Sequence, residues 1–378
     1  MTPLRPKRAG TWAVIAGGGT GGHVVPAIAI GRALVARGHP GATILFVGSK
    51  RGMERRLVPA AGFEVVLLPG RGIARRPTPD NIGAIVGLVA AAFRAIAMMA
   101  RLRPSVVISV GGYASVAGAV AAIVWRIPLV VAEQNASPGL ANRLVARFAS
   151  ASAVSFPGTP LPRAVVTGNP VRPEILAVDR SPQGQAKARA ELGLPADGLV
   201  VAIASGSLGA RRVNEAVLGL VSSWSDRSGV AIRHVIGDRD FESTVAKAPS
   251  LPAGGLVYQQ VKFEDRMDLL LAAADVAVQR SGASTVSELA VVGLPSILVP
   301  LPGATGDHQT GNARRFADAG AATVIPDAEL DEVRLGQELD RLLADEGARR
   351  AMSEAARLLA RPDAAAQVAS IAEKHARG

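Results

Sequence analysis

The chain has 378 residues, 49% hydrophobic but only 3% aromatic, and its 42 Lys and Arg against 31 Asp and Glu give a net charge of +11. That length exceeds one ordinary core and predicts two domains packed by Ala, Val, Leu and Gly. The absence of Cys excludes disulfides and thiolate metal sites. So few aromatics and no long Lys/Arg block argue against nucleic acid, leaving anionic lipid or phosphorylated small molecules as expected partners of a basic chain.

Arg5, Lys7 and Arg8 precede an apolar run that ends at Ala16, too short for a secretory leader. Trp12 to Ala16 reads as a strand buried on both faces. Gly17, Gly18, Gly19, Gly21 and Gly22 follow, and a helix is expected from near Val24. A glycine turn facing a helix N-terminus is a seat for phosphate or another anion. No Asp or Glu occurs before Glu54, whereas seven Lys and Arg precede it, so the positive excess lies early in the chain. Ala42 to Val47 reads as a strand, Arg51 to Ala61 as a helix and Glu64 to Leu68 as a third strand. A loop with Arg71, Arg75 and Arg76 leads to a long helix over about 80–101. Ser105 to Val110, ending in Gly111 and Gly112, and Pro128 to Ala132 continue an alternation that means a parallel sheet with helices on both faces.

Five prolines crowd Phe156 to Pro173, as in a linker. The pattern then restarts with the strand Leu199 to Ala204, the glycine turn Ser205 to Gly209 and a helix over 210–221. Further strands are expected at 230–236, 275–278 and 296–299, and Ala348 to Ala376 reads as helical cover for a domain face. The expected division is residues 1–168, residues 169–355 and a helical segment, 356–378, packing across both. Two similar halves would face a cleft with ligand loops on either side, since open parallel sheets bind beyond the carboxyl ends of their strands.

Gly17-x-Gly19-x-x-Gly22 spells the dinucleotide fingerprint, but the second strand ends Val47-Gly-Ser-Lys50 without the acid that holds a nicotinamide ribose about 20 residues on. A dehydrogenase is therefore disfavoured. In Arg280-Ser-Gly-Ala-Ser-Thr-Val-Ser-Glu288 the helix start offers backbone N–H groups, and Glu288 suits a vicinal diol such as ribose hydroxyls; a helix-capping glutamate is the plainer alternative. Glu133-Gln-Asn135 and Asp307-His-Gln-Thr-Gly-Asn312 each follow a strand, as site walls or as ordinary polar loops. The five His show no paired metal spacing, and Asp238-Arg-Asp240 reads as a solvated loop, so no essential protein-bound metal or other cofactor is expected.

Taken in order, Gly18-Gly-Thr-Gly-Gly-His23 with Pro26, Glu133-Gln-Asn135, Gly168-Asn-Pro-Val-Arg172, Arg280 to Glu288 and Asp307 to Asn312 resemble the bacterial N-acetylglucosaminyltransferases that make lipid II, family 28 glycosyltransferases of the GT-B fold. The resemblance covers nearly the whole chain. It implies an α/β GT-B fold of two Rossmann-like domains, and inverting transfer of GlcNAc from UDP-GlcNAc to undecaprenyl-diphospho-MurNAc-pentapeptide, lipid I. It places Thr20, Gly21, Gly22 and Asn135 towards the sugar, Arg172 and Ser207 at the diphosphate, Ala283, Ser284, Thr285 and Glu288 on the nucleotide, and Gln309 on the GlcNAc hydroxyls. Glu264 is a looser match at the uracil. His23 and Glu133 are the two candidates for general base. The family's second turn is usually Gly-Gly-Ser-Gln-Gly; here Ser205 and Leu208 depart from it, which puts one donor contact in doubt.

A lipid-linked acceptor implies a peripheral place on the cytoplasmic face of the cell membrane, with cell-wall synthesis proteins as further partners. Ile82, Ile85, Val86, Val89, Phe93 and Ile96 lie at helical spacing beside Arg75, Arg76 and Arg94, a candidate membrane patch. Other readings compatible with the motifs are a lipid glucosyltransferase or UDP-GlcNAc 2-epimerase of the same fold, or a non-catalytic nucleotide-binding membrane scaffold.

Overall fold

The computed structural model describes residues 10–69, 80–206 and 209–377. They form two compact units: Met1–Arg172 with Arg361–Gly378, and Pro173–Ala360.

Unit 1 holds the strands β1 (Ala13–Ala16), β2 (Ile44–Ser49), β3 (Glu64–Leu68), β4 (Val106–Ser109), β5 (Leu129–Glu133), β6 (Ala151–Val154) and β7 (Ala164–Val166). Between them run α1 (Gly21–Ala36), α2 (Glu54–Ala60), α3 (Asp80–Leu102), α4 (Tyr113–Val124) and α5 (Leu140–Val145). The strands make one parallel sheet in the order β3-β2-β1-β4-β5-β6-β7. The central strands are buried throughout because both faces are covered. Val14, Leu45, Val47, Val107 and Val131 pack with Ala91, Ala95 and Met99 of α3 and with the alanines of α4. The alternate residues Ala13, Ile15, Phe46, Ile108 and Val130 pack with Val24, Ile30 and Leu34 of α1.

Unit 2 repeats the plan with β8 (Leu199–Ala204), β9 (Val230–Val235), β10 (Val257–Val261), β11 (Val276–Gln279), β12 (Ser296–Leu298) and β13 (Thr323–Val324). Its helices are α6 (Pro173–Leu176), α7 (Pro182–Glu191), α8 (Arg211–Ser223), α9 (Phe241–Val245), α10 (Met267–Ala273), α11 (Ala283–Val292), α12 (His308–Asp318), α13 (Glu332–Ala344) and α14 (Glu346–Leu359). The sheet is again parallel, in the order β10-β9-β8-β11-β12-β13. One face buries Val201, Ile203, Ile232, Val276 and Val278 beneath Val213, Val217 and Leu220 of α8 and Leu335, Leu339 and Leu342 of α13.

The chain ends in α15 (Ala364–His375), which belongs to unit 1. Its Val368, Ala369 and Ala372 join the α1 face of the core. Glu373 accepts from Arg37 Nη2 at 2.5 Å and meets His39 Nε2 at 3.0 Å. The expected alanine-rich cover is therefore two helices: α14 packs on α11 in unit 2, and α15 packs on α1.

Four strands lie outside the sequence reading: β6, β7, β10 and the two-residue β13. The proline-rich stretch taken for a linker contains β7, an exposed edge strand paired with β6. Edge position is where proline-flanked strands are tolerated, because one row of N–H groups needs no partner. The edge strand β10 was not anticipated either: its Tyr258-Gln-Gln260 interrupts the apolar run that marks a buried strand.

Candidate active site

In unit 1 the strand order reverses between β1 and β4, and the loops beyond their carboxyl ends are where a doubly wound sheet receives a ligand. Gly17 donates to Val47 O at 3.0 Å and Gly18 to Gly111 O at 3.3 Å. A side chain on Gly112 would overlap the Gly18 carbonyl, so the two glycine turns lie backbone to backbone. α1 begins at Gly21 rather than near Val24. Thr20 is the extended residue before it, and its carbonyl accepts from the N–H groups of His23 and Val24, both at 3.1 Å. Gly19, Thr20 and Gly22 face solvent. His23 turns its Nδ1 to Thr20 Oγ1 at 3.4 Å and its other edge to Gly111, where a Cβ would lie 3.1 Å from Nε2.

The anion expected at the first turn is present, and the chain itself supplies it. Glu54, at the start of α2, is 1% exposed. Its Oε2 accepts from Gly19 N–H at 2.8 Å and its Oε1 from Ser49 N–H at 2.5 Å. A Cβ on Gly18, Gly48 or Gly52 would overlap the carboxylate. The reading of this turn as a phosphate seat is thus corrected for the stretch over Gly18 and Gly19.

Glu133 ends β5 and is 3% exposed. Oε1 accepts from the N–H of Asn135 at 3.0 Å and from Asn135 Nδ2 at 3.2 Å. Oε2 accepts from Gly139 N–H at 3.0 Å and from Asn142 Nδ2 at 2.9 Å. Four donors saturate the carboxylate and fix residues 134–142. Asn142 in turn accepts from Ser109 Oγ at 3.3 Å, and its Nδ2 borders Gly111 beside His23. Arg172 closes unit 1, half-buried.

In unit 2 the order reverses between β8 and β11, where Ala204 is paired with Gln279. Ser205 Oγ, Gln279 Nε2 and Ser284 Oγ are buried there without a hydrogen-bond partner among the described residues. Buried polar atoms are normally paired, so such a group at a reversal point marks a place for a ligand. α11 starts after the extended Gly282, and its first internal bond runs from Val286 N–H to Gly282 O at 3.0 Å. The N–H groups of Ala283, Ser284 and Thr285 therefore point past the helix end. Glu288 lies on the same helix, buried.

The neighbouring loop is laced to this turn. Ser281 Oγ donates to Gln309 O at 2.8 Å, Asn312 Nδ2 donates to Ser281 O at 3.1 Å, and Gln309 Oε1 accepts from Leu301 N–H at 2.9 Å. Asp307 holds a left-handed backbone, φ 51°, and its Oδ1 accepts from Thr310 Oγ1 at 2.7 Å. Arg280 is committed to the scaffold, donating to Val299 O, Pro300 O and Asp327 Oδ1. Glu264 is held by Arg233 at 2.8 Å.

The second glycine turn rests on a buried histidine. His234 Nδ1 lies 2.9 Å from the Tyr258 hydroxyl and Nε2 lies 3.0 Å from Asn214 Oδ1. Asn214 Nδ2 donates to Ile236 O, so Oδ1 accepts from His234 Nε2–H and Tyr258 donates to Nδ1. A Cβ on Gly209 would overlap that same Ile236 carbonyl. Burial pushes His234 down to about 3 and Tyr258 up to about 12. Asp238 and Asp240 do not share a site. Asp240 is buried and paired with Arg239, which holds its carboxyl below the usual range, while Asp238 is exposed beside Lys262.

Ser207, Arg75 and Arg76 lie outside the described residues, as do the side chains of Ile82 and Ile85. On α3, Val86, Val89 and Phe93 are exposed along one stripe, Phe93 at 69%, while Ala91, Ala95 and Met99 face the core. Glu54 and Asn142 were missed from sequence. The available signals were an acid standing alone after fifty-three residues without one, and an amide inside the apolar run Leu140-Ala-Asn-Arg-Leu-Val145.

Two doubly wound parallel units in series, matched by both domain models of a glycosyltransferase family, make the chain a glycosyltransferase of the GT-B fold. The chain belongs to glycosyltransferase family 28: the family's N-terminal domain matches residues 13–154 and its C-terminal domain residues 200–368. It is 41% identical over 358 residues to the UDP-N-acetylglucosamine–N-acetylmuramyl-(pentapeptide) pyrophosphoryl-undecaprenol N-acetylglucosamine transferase of Nocardioides sp., covering 95% of this chain and 96% of that one. The like-named protein of Desulforudis audaxviator is 38% identical over 375 residues, covering 96% and 97%. The crystal structure of Acinetobacter baumannii MurG superposes with a TM-score of 0.75 at 30% identity, covering 96% of this chain and 99% of that one. A UDP-GlcNAc 2-epimerase from Neisseria meningitidis, 12% identical with a TM-score of 0.65, shares the fold alone.

Proposed function

We propose that this chain transfers GlcNAc from UDP-GlcNAc to undecaprenyl-diphospho-MurNAc-pentapeptide. What carries the reading is the full-length similarity to transferases of that printed name. The nucleotide half is supported by the reversal point of unit 2, where three buried polar side-chain atoms lack partners among the described residues beside the start of α11. There the N–H groups of Ala283, Ser284 and Thr285 meet the diphosphate, Glu288 accepts from the ribose hydroxyls, Gln309 meets the sugar, and Ser207 and Arg172 add diphosphate contacts.

Unit 1 serves the acceptor and the reacting centre. Thr20, Gly21, Gly22 and Asn135 contact the sugar. An acceptor hydroxyl attacks C1, the C1–O bond to the β-phosphate breaks with its electron pair leaving on UDP, and the hydroxyl proton passes to His23. One displacement inverts the anomeric carbon. Of the two candidate bases we favour His23, because the Glu133 carboxylate is saturated by four donors from the loop that follows it and from α5. Charge on the leaving UDP is met by Arg172 and the α11 N–H groups. Among the described residues no helix is long and apolar enough to cross a membrane. The exposed stripe of Val86, Val89 and Phe93 supports peripheral attachment, with anionic lipid adding about 1 kcal/mol for each basic residue nearby.

Radiolabel transfer from UDP-GlcNAc to a lipid I analogue tests the reading. Label in the lipid fraction, lost in His23→Ala, is expected; nucleotide binding without lipid labelling refutes it.

A further inference from the structure

We infer that Glu54 is a positioning residue for the transfer reaction, an internal carboxylate that holds the first glycine turn in its working shape. The inference rests on the reading of Thr20 and His23 as sugar contact and base. Three observations carry it. The carboxylate is fully buried, yet among the described residues no Lys, Arg or His pairs with it; its donors there are the backbone N–H groups of Gly19 and Ser49. It is enclosed by Gly18, Gly48 and Gly52, at each of which a side chain would displace it. And the turn it braces leads within one residue to Thr20 and within four to His23.

An acceptor with two oxygens is what this place is built around. Two N–H groups converge on separate oxygens of one carboxylate, from the turn after β1 and from the end of β2. In unit 2 the turn after β8 begins instead with Ser205, whose hydroxyl has no partner among the described residues. The same topological position is thus filled from within in unit 1 and left with an unpaired donor in unit 2. Unit 1 does not take a diphosphate on the N–H of Gly19, because a carboxylate already sits there. The lipid-linked acceptor must be gripped by other groups, and the turn presents Thr20 and His23.

The test compares Glu54→Gln and Glu54→Asp with the wild-type chain in three measurements: transfer kinetics, UDP affinity by titration calorimetry, and hydrogen exchange over residues 17–24. In Glu54→Gln one oxygen becomes an NH2 group that faces an N–H donor. The loss of one hydrogen bond to a charged group predicts a kcat about ten- to a hundredfold lower, with KM for UDP-GlcNAc and UDP affinity within about twofold of wild type. Exchange over 17–24 becomes faster. Glu54→Asp keeps the charge and recovers part of the loss. Wild-type kcat in Glu54→Gln, or a loss matched by equally weak UDP binding, overturns the inference. A wild-type chain with no lipid transfer at all, alongside faster exchange at 17–24 in Glu54→Gln, overturns the proposed reaction and leaves the brace standing.

Discussion

Glu133→Gln separates a scaffold carboxylate from a catalytic one. The carboxylate receives two donors on each oxygen: the N–H and side-chain amide of Asn135 on one, Gly139 N–H and Asn142 Nδ2 on the other. Glutamine has one acceptor oxygen. Whichever way its amide is turned, two bonds are lost and an NH2 group faces two N–H donors. Asn142 cannot simply flip to compensate, since its Oδ1 accepts from Ser109 and its Nδ2 also donates to Ala132 O at 3.2 Å. Two hydrogen bonds to a charged group are together worth about 3–6 kcal/mol at this buried position. For a unit of this size that is a fall in Tm on the order of 10 °C. Differential scanning calorimetry reads it directly, and hydrogen exchange over residues 134–142 localises it. A general base would behave otherwise: its removal slows turnover by about 10²- to 10⁴-fold and leaves the melt unchanged. Glu133→Gln melting with the wild type while losing turnover would refute the scaffold assignment and return Glu133 to the chemistry.

Three other outcomes are expected. His234 has a folded pKa near 3 against about 6.5 when unfolded, so the unfolded chain binds the proton first. Its stability contribution is complete above pH 6.5, falls as the pH drops below that value, and is about 2 kcal/mol smaller at pH 5; urea unfolding of wild type and His234→Gln against pH checks it, and equal slopes in both refute it. Glu288→Ala weakens UDP-GlcNAc binding about ten- to a hundredfold by calorimetry, with little change in Tm; unchanged affinity removes Glu288 from the ribose. Val89→Asp with Phe93→Asp, both on the exposed stripe of α3, lowers flotation with anionic vesicles at least tenfold while transfer to a water-soluble acceptor persists. Undiminished flotation would show that the stripe does not meet lipid.

Much of the fold was legible because it is written locally. A short apolar run, a cluster of glycines and a second apolar run at helical spacing specify a strand, turn and helix, and β1 to α1 and β8 to α8 follow that grammar. β7, β10 and β13 escaped because edge strands need no continuous apolar run, and half-exposed Gln259 and Gln260 carry no buried-strand signal; the interior β6 escaped because Ala151-Ser-Ala-Val154 is short and only weakly apolar. The motif residues were legible as a set, yet their roles were not. That Glu133 is saturated depends on donors up to nine residues away, and that Glu54 fills the first turn depends on a contact across 35 residues. Sequence spacing shows where polar groups stand relative to strand ends, whereas the division of labour among them is decided by tertiary hydrogen bonds.

The two units share a topology and differ in what lies at their reversal points: among the described residues three unpaired buried side-chain atoms cluster there in unit 2, against Gln134 Oε1 beside Glu133 in unit 1, and that difference predicts where the nucleotide acts. At the reversal point of unit 1, Glu54 satisfies Gly19, and Glu133 satisfies Asn135, Gly139 and Asn142. At the reversal point of unit 2, Ser205, Gln279 and Ser284 keep buried polar atoms unpaired, and three N–H groups of α11 extend past the helix end. An unpaired buried polar group costs about 1–3 kcal/mol, which a ligand able to pair several of them recovers on binding. UDP alone should therefore slow hydrogen exchange at residues 204–206 and 279–288 and leave residues 17–24 at their unliganded rate. Protection at 17–24 without protection at 279–288 would place the nucleotide on unit 1 and reverse the assignment.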